Sequence, residues 1–145
     1  MIAFFILFQL ATVTSDSDTT KIDKMLVKVW ELKYSEPNNS LLIADSAINL
    51  SDQVRNAKRQ AHSRYYKAIV YYLQNEYDSA LLTMKPSVEF YKTVNDDYGI
   101  ASLYNLRGLI YERKGWYEQA ISQYISSQRY AAKTGNLISQ ANPLH

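Results

Sequence analysis

Two stretches of the sequence, one forty residues after the other, decide the fold. Residues 101–135 read ASLYNLRGLIYERKGWYEQAISQYISSQRYAAKTG, and residues 61–95 read AHSRYYKAIVYYLQNEYDSALLTMKPSVEFYKTVN. They align without a gap, so that Tyr71 corresponds to Tyr111. Self-similarity at a fixed period indicates an array of stacked structural repeats. The period predicts a diverged first unit at 21–60, further units at 61–100 and 101–140, and the start of a truncated fourth unit at 141–145.

Within each unit the apolar residues recur at helical rather than strand spacing. Tyr104, Gly108 and Tyr111 stand at i, i+4 and i+7, which places them on one face of a helix. Pro86 lies inside one predicted helix and should bend it, because proline cannot donate the backbone hydrogen bond. We therefore predict an all-α fold with helices near 20–34, 38–53, 56–74, 77–93, 98–113 and 117–133.

The composition argues against several classes of function. The 145 residues include no cysteine and only two histidines, of which His145 is the last residue. Disulfide scaffolds and thiolate zinc sites are therefore excluded, and an acid–base or metal site would have to be built around His62 alone. A net charge of +2 is too small to indicate a nucleic-acid partner. We predict a protein that is not an enzyme and needs neither cofactor nor metal ion.

The first residues differ in character from the rest of the chain. Residues 1–13 are almost wholly apolar, and residues 14–20 are small, polar and acidic. The apolar run is shorter than the ~20 residues of a membrane span and matches the core of a secretory signal, although no Lys or Arg precedes it. We predict that residues 1–20 are a signal peptide or N-terminal anchor and that the protein is exported. The alternative is a buried first helix of the domain.

The repeated positions resemble the signature of the tetratricopeptide repeat. In that family a small residue and a tyrosine on the first helix of a hairpin face an alanine and an aromatic residue on the second. The period here is 40 residues rather than the usual ~34, which implies longer helices. The resemblance implies an α-solenoid of antiparallel helix hairpins. It assigns a packing role to Ala68, Tyr71, Tyr77, Ala80, Gly108, Tyr111, Gly115, Tyr117, Ala120 and Tyr124.

The same resemblance implies a binding surface. Arrays of this family act through a concave face lined mainly by the first helix of each hairpin. We expect Asn105 to hold an extended peptide there, with a bond inside its own hairpin as the alternative. The implied exposed groove positions are Met25, Val29 and Leu32 in the first unit, His62, Tyr65, Ile69 and Tyr72 in the second, and Ser102, Asn105, Leu109 and Glu112 in the third.

These features predict a protein-interaction scaffold. The expected partner is a peptide segment or an adjoining domain of the same polypeptide, and the resemblance implies the extracytoplasmic input region of a larger signalling protein. Any membrane attachment would run through the N-terminal segment or through further sequence. A self-assembling structural repeat protein is the alternative. Three tyrosines outside the shared register, Tyr65, Tyr66 and Tyr72, are open to a binding role.

A basic stretch offers a second candidate surface. Residues 53–75 contain no acidic residue, and on a helix part of their positive charge falls on one side. A positive field of this kind attracts an acidic peptide or a phosphate group. The alternative is an ordinary solvated face. The basic residues are Arg55, Lys58, Arg59, Arg64 and Lys67.

Overall fold

The computed structural model describes the backbone of residues 2–135 and the side chains of residues 17–135. Within these residues the protein is all-α and contains no strand, as predicted. The predicted bounds from residue 38 onward lie within one residue of the observed ones, and the predicted opening of a fourth repeat lies outside the described residues. The helices are α1 (Ile2–Leu32), α2 (Pro37–Gln53), α3 (Ala57–Leu73), α4 (Tyr77–Met84), α5 (Ser87–Thr93), α6 (Asp97–Arg113) and α7 (Tyr117–Lys133).

The turns that follow helices α2, α3, α5, α6 and α7 share one design. Each contains a residue in the left-handed region, where the chain reverses and the last carbonyls of the helix find donors. After α6, for example, Gly115 has φ 78°, and the amide of Trp116 donates to the carbonyl of Tyr111 at 2.8 Å. These left-handed residues stand twenty positions apart, at Arg55, Asn75, Asn95, Gly115 and Gly135.

Pro86 interrupts the helix predicted at 77–93. Helix α4 ends at Met84 and α5 begins at Ser87, so the helix is interrupted at the proline. Because proline has no amide hydrogen, the carbonyl one turn earlier loses its helical donor at this point. The two short helices together occupy the span of one helix elsewhere in the chain.

Helix α1 departs from the prediction. Its predicted start near residue 20 is wrong, because the helix runs without a break from Ile2. From residue 17 onward its inner face carries Ile22, Leu26 and Val29, whose exposures are 0%, 6% and 1%. Among the described residues, no helix is both long enough and apolar enough to cross a bilayer. The signal peptide stays a prediction.

Small residues allow neighbouring helices to approach closely. Gly108 on α6 lies under Tyr124 on α7, and a Cβ added at Gly108 would stand 2.5 Å from Cε1 of that ring. Ala68, Ala80 and Ala120 are at most 2% exposed. Tyr71, Tyr77 and Tyr111 pack against the central cluster of buried residues. Each helix except α4 also contacts the next one; α4 contacts α3 and α6, and α3 contacts both α1 and α6.

The packing role assigned to Tyr117 is wrong, since its side chain is 66% exposed. The equivalent Tyr77 is partly buried because α6 packs against α4. No helix of the described residues covers the corresponding face of α7. A position in the repeat therefore becomes buried only when the following helix is in place.

A buried hydrogen bond recurs with the period of the sequence. The hydroxyl of Ser87 donates to the carbonyl of Ala61 at 3.2 Å, and the hydroxyl of Ser127 donates to the carbonyl of Ala101 at 2.8 Å. Each bond joins the second helix of a pair to the start of the first. The forty-residue period therefore applies to contacts in the folded protein as well as to the amino-acid sequence.

Candidate functional site

A cleft of about 190 Å³ opens where α1, α3, α5 and α6 meet. We call it the aromatic cleft. Helix α1 contributes Trp30, α5 contributes Tyr91, and the remaining residues come from α3 and the first turns of α6. The cleft is lined by Trp30, His62, Tyr65, Tyr66, Ile69, Tyr91, Tyr98, Gly99 and Ser102.

Tyr66 is the central ring of the cleft. Its centroid lies 5.9 Å from that of Trp30, 6.1 Å from that of Tyr65 and 6.3 Å from that of His62. The ring planes are tilted by 47° to 83°, and the contacts with Tyr65 and His62 have the edge-to-face geometry that aromatic pairs prefer. The rings therefore hold one another in place as a stable surface.

Tyr91 forms the floor, and Gly99 makes room for it. Tyr91 is 1% exposed, and a Cβ on Gly99 would stand 2.6 Å from the Tyr91 ring. The ring can therefore lie directly on the backbone of α6 only because residue 99 has no side chain. Helix α6 begins here because Asp96 accepts a hydrogen bond from the amide of Gly99 at 2.8 Å.

His62 is held as a neutral ring at the edge of the cleft. Burial lowers its pKa, and the charges of Lys58 and Arg59 act in the same direction, while Asp96 opposes them. Its Nδ1 lies 3.2 Å from the carbonyl of Lys58, which can only accept, so Nδ1 carries the proton. Nε2 is then left as a hydrogen-bond acceptor.

Three tyrosines of the cleft keep their protons. Burial is the main cause that raises the pKa of Tyr65, Tyr66 and Tyr91. Their hydroxyls are therefore neutral at physiological pH and can donate hydrogen bonds. Together with His62, they give the cleft polar groups but no fixed charge. Among the described residues, no cluster of histidine and acidic side chains could hold a metal ion.

The structure brings together only part of the predicted groove. His62, Tyr65 and Ser102 line the cleft, whereas Tyr72 packs against Tyr77 at a centroid distance of 6.0 Å. Glu112 is exposed and accepts a hydrogen bond from the Tyr124 hydroxyl at 2.6 Å. Tyr72 and Glu112 therefore lie near the turns between helices and not in the cleft.

Several residues predicted as exposed groove positions are buried, and that prediction is wrong for them. Asn105, Leu109, Ile69 and Val29 are 8%, 9%, 4% and 1% exposed. The residues of α6 are buried because α3 and α5 cover one side of the helix and α7 covers another, so that little of its surface is exposed. Asn105 therefore cannot present its amide to a peptide on the surface.

The predicted basic face is largely neutralised by other helices, so the prediction of an open positive surface is wrong. Arg55 is placed in the turn after α2, and Lys58 alone of the five is an exposed cation on α3. Hydrogen bonds from Arg64 and Gln60 and the charge of Arg64 outweigh the effect of burial and lower the pKa of Asp52. The pairs are Arg59 with Asp23 at 2.9 Å, Arg64 with Asp52 at 2.8 Å and Lys67 with Asp45 at 2.6 Å.

Four residues of the cleft were not found from the sequence. Trp30 comes from α1, Tyr91 from α5, and Tyr98 and Gly99 from α6, and nothing local in the sequence brings them together. Tyr66 carried a usable signal, since it is an aromatic residue outside the shared register of the repeats. The same criterion would have drawn attention to Trp30.

No protein-family model matches the chain. No solved structure matches it either. An uncharacterized protein named ycf37, from Guillardia theta, is 25% identical to this chain over 77 residues. The alignment covers 53% of this chain and 43% of that relative, so the chain spans less than half of the relative's length. The relative's name states no activity.

Proposed function

We propose that the protein is a non-catalytic interaction scaffold, an α-solenoid of tetratricopeptide-like hairpins that binds an extended peptide or an adjoining domain in the aromatic cleft. The cleft itself carries this proposal. Its outer rings, Trp30 and Tyr98, are 44% and 48% exposed, above the buried ring of Tyr91. Rigid aromatic side chains supply large contact area at low cost in conformational entropy, and protein interfaces are enriched in them.

The size of the cleft supports a peptide rather than a cofactor. Its volume of about 190 Å³ is below the roughly 300–1,000 Å³ of pockets that enclose small molecules. One or two side chains of a longer ligand fit such a space, while the rest of the ligand continues across the surface. This is the arrangement expected of a peptide-binding groove.

The repeat architecture supports the solenoid part of the proposal. The five left-handed turns and the two buried serine hydrogen bonds follow the sequence period. Stacked repeats form extended concave surfaces, and such surfaces serve binding. The tetratricopeptide identity and the role as the input region of a signalling protein rest on the resemblance of the repeated positions.

The interaction is tested by panning a random-peptide library against the purified protein. The cleft variant is Trp30→Ala with Tyr98→Ala, and the control is Trp116→Ala with Tyr34→Ala, which removes two aromatic rings that are 45% and 72% exposed elsewhere. We expect peptides that bind the wild type and the control but not the cleft variant. Selected peptides that bind the cleft variant equally well would exclude the cleft as the binding surface.

Export belongs to the same proposal and rests on the apolar residues 1–13. Fusing residues 1–20 to a reporter enzyme that requires disulfides tests it, because those bonds form outside the reducing cytosol. We expect reporter activity with the native segment and none when Phe5 and Leu7 are both replaced by Asp. Equal activity of the two fusions would contradict export by this segment.

A second function, self-assembly, is favoured by an apolar stripe on α7. Tyr117, Ile121 and Ile125 follow one another at i, i+4 and i+8 and are 66%, 57% and 52% exposed. One period earlier, Tyr77 and Leu81 pack against the core under α6. The stripe is therefore a surface that a neighbouring helix covers elsewhere in the same chain, and we propose a second copy of the protein as its occupant.

Light scattering over a range of concentrations tests this second function. We expect the wild-type mass to rise with concentration and that of Ile121→Glu with Ile125→Glu to stay monomeric. The control, Leu42→Glu with Leu82→Glu, changes apolar residues that are 66% and 75% exposed elsewhere, and it should behave like the wild type. A wild-type protein that is monomeric at every concentration would rule out assembly.

A further inference from the structure

The rings of the aromatic cleft contact one another at steep angles. Trp30 and Tyr66 are tilted by 47°, and Tyr65 and Tyr66 by 63°, at centroid distances near 6 Å. The cleft therefore presents a ridged aromatic surface, on which Trp30 and Tyr98 are 44% and 48% exposed. The pyrrolidine ring of proline is compact and can pack on exposed aromatic rings of this kind. Peptides in the polyproline II conformation dock in aromatic-lined grooves in the same manner.

The cleft also offers donors that such a peptide needs. A polyproline II strand makes no internal hydrogen bonds, so its carbonyls require partners from outside. The hydroxyls of Tyr66 and Tyr98 make no hydrogen bond within the part of the chain whose side chains are described. Burial raises the pKa of Tyr66, which keeps its hydroxyl protonated as a donor. The cleft therefore offers hydroxyl donors to an acceptor-rich ligand.

The charges around the cleft favour an acidic ligand over a basic one. No carboxylate lines the cleft, and the amino group of Lys33 lies 3.7 Å from the ring centroid of Trp30. Lys58, one turn before His62, is exposed. The two acidic groups whose charges act on His62 and Tyr66 are already engaged, Asp96 by the Gly99 amide and Asp23 by Arg59. A cationic side chain in the cleft would meet these lysines, whereas an acidic one would be attracted by them.

We propose that the aromatic cleft selects proline-rich peptide segments in the polyproline II conformation that carry acidic residues beside the prolines. Proline rings pack on the exposed rings of Trp30 and Tyr98, and the hydroxyls of Tyr66 and Tyr98 donate to the peptide carbonyls. Lys33 and Lys58 attract the acidic residues. This assignment rests on the proposed function of the cleft and names the chemistry of its ligand.

Fluorescence of Trp30 tests the assignment. The chain has two tryptophans, so Trp116→Phe leaves Trp30 as the sole reporter, inside the cleft. The protein is titrated with three synthetic twelve-residue peptides. The first has a proline-rich centre flanked by glutamates, the second has alanine in place of every proline, and the third has lysine in place of every glutamate.

We expect saturable binding of the first peptide. Replacing proline by alanine should weaken binding by about tenfold or more, as loss of a buried anchor does. Replacing glutamate by lysine should weaken it several-fold, and this difference should shrink at high salt because exposed charges are screened. In the protein, Tyr66→Phe should weaken binding through the lost hydroxyl, and Tyr34→Phe, a matched change outside the cleft, should have no effect.

The outcomes separate this assignment from the proposed function. If library peptides require Trp30 and Tyr98 but show no enrichment in proline, and the alanine peptide binds as well as the proline peptide, the ligand assignment fails and the binding role of the cleft survives. If no peptide of either experiment binds in the cleft, both fail. Stronger binding of the lysine peptide would overturn the charge preference alone.

Discussion

In the helix pair α6–α7, Gly108 lies against the ring of Tyr124, whereas forty residues earlier the same two positions hold Ala68 and Met84. Both residues of the earlier pair are 0% exposed. One pair combines the smallest residue with a large ring, and the other combines a methyl group with a flexible thioether. The turns and the buried serine bond are the same in both pairs. The turns and the serine bond are therefore constant between the two pairs, whereas the side-chain volume is divided differently between the two positions.

Overpacking Gly108 should have the largest effect of the predicted changes. Gly108→Ala places its Cβ 2.5 Å from the Tyr124 ring, which should lower the free energy of unfolding by about 1–3 kcal/mol. Gly108→Leu should cost more. Urea denaturation followed by circular dichroism measures the loss.

A double-mutant cycle sharpens this prediction. Adding Tyr124→Met to Gly108→Ala recreates the combination present in the α3–α4 pair, and we expect it to recover at least half of the lost stability. Additive effects of the two substitutions would contradict the view that the two side chains compete for the same space.

The second prediction concerns the serine bond that the two pairs share. Ser87→Ala and Ser127→Ala each remove the donor of one inter-helix hydrogen bond to a buried helical carbonyl, so each should lower the free energy of unfolding by about 0.5–1.5 kcal/mol. We expect the two losses to agree within about 0.5 kcal/mol, since the bond is the same in both pairs. Ser102→Ala is the control, because that hydroxyl bonds within its own helix to Tyr98. A loss at one serine only would show that the bond matters in a single pair.

The third prediction uses the turns. Gly115 ends α6 at φ 78°, while Arg55 adopts φ 52° at the corresponding place after α2. Side chains with a Cβ are strained in this region, so Gly115→Arg should destabilise the protein by about 1 kcal/mol and Arg55→Gly should stabilise it by a similar amount or less. Thermal unfolding of the two variants should shift in opposite directions. Shifts of the same sign would contradict an effect of backbone conformation.

A change of pH should have the smallest effect on the free energy of unfolding. His62 in the earlier pair corresponds to Ser102 in the later one. Burial lowers the pKa of His62 in the folded protein, so the unfolded chain takes up a proton first as pH falls. The free energy of unfolding should therefore decrease as pH falls from about 7 to 5 through the ordinary histidine pKa. His62→Ser should flatten this part of the profile, and an unchanged slope would assign the pH dependence to other groups.

The helix bounds could be predicted closely because residues near each helix end determine where the helix stops. The bounds of α7 were predicted without error from the apolar period and the turn residue Gly115, which fixes where the chain reverses. The start of α1 could not be predicted in this way. Its apolar residues match a secretory signal in composition, and a helical signal and a helix of the domain share the same local pattern.

The site was less predictable because it is assembled from distant residues. Arg59 and Asp23 are 36 positions apart, and no property of residues 53–75 reveals that α1 and α2 carry the neutralising carboxylates. Asn105 is a second residue whose environment depends on distant parts of the sequence. Its helix position fits an exposed groove residue, but the packing of α6 against helices on two sides buries it.

The twenty-residue interval of the left-handed turns also constrains how this chain can change in length. Excising residues 56–95 would join Arg55 directly to Asp96, so that one helix-capping side chain takes the place of another, Asn56, and every remaining helix keeps its ends. An excision of twenty residues would also preserve each turn, but it would reverse the direction of all later helices. Whole helix pairs are therefore the natural units of insertion and loss, and a protein of this design can gain or lose a pair without a change at any junction.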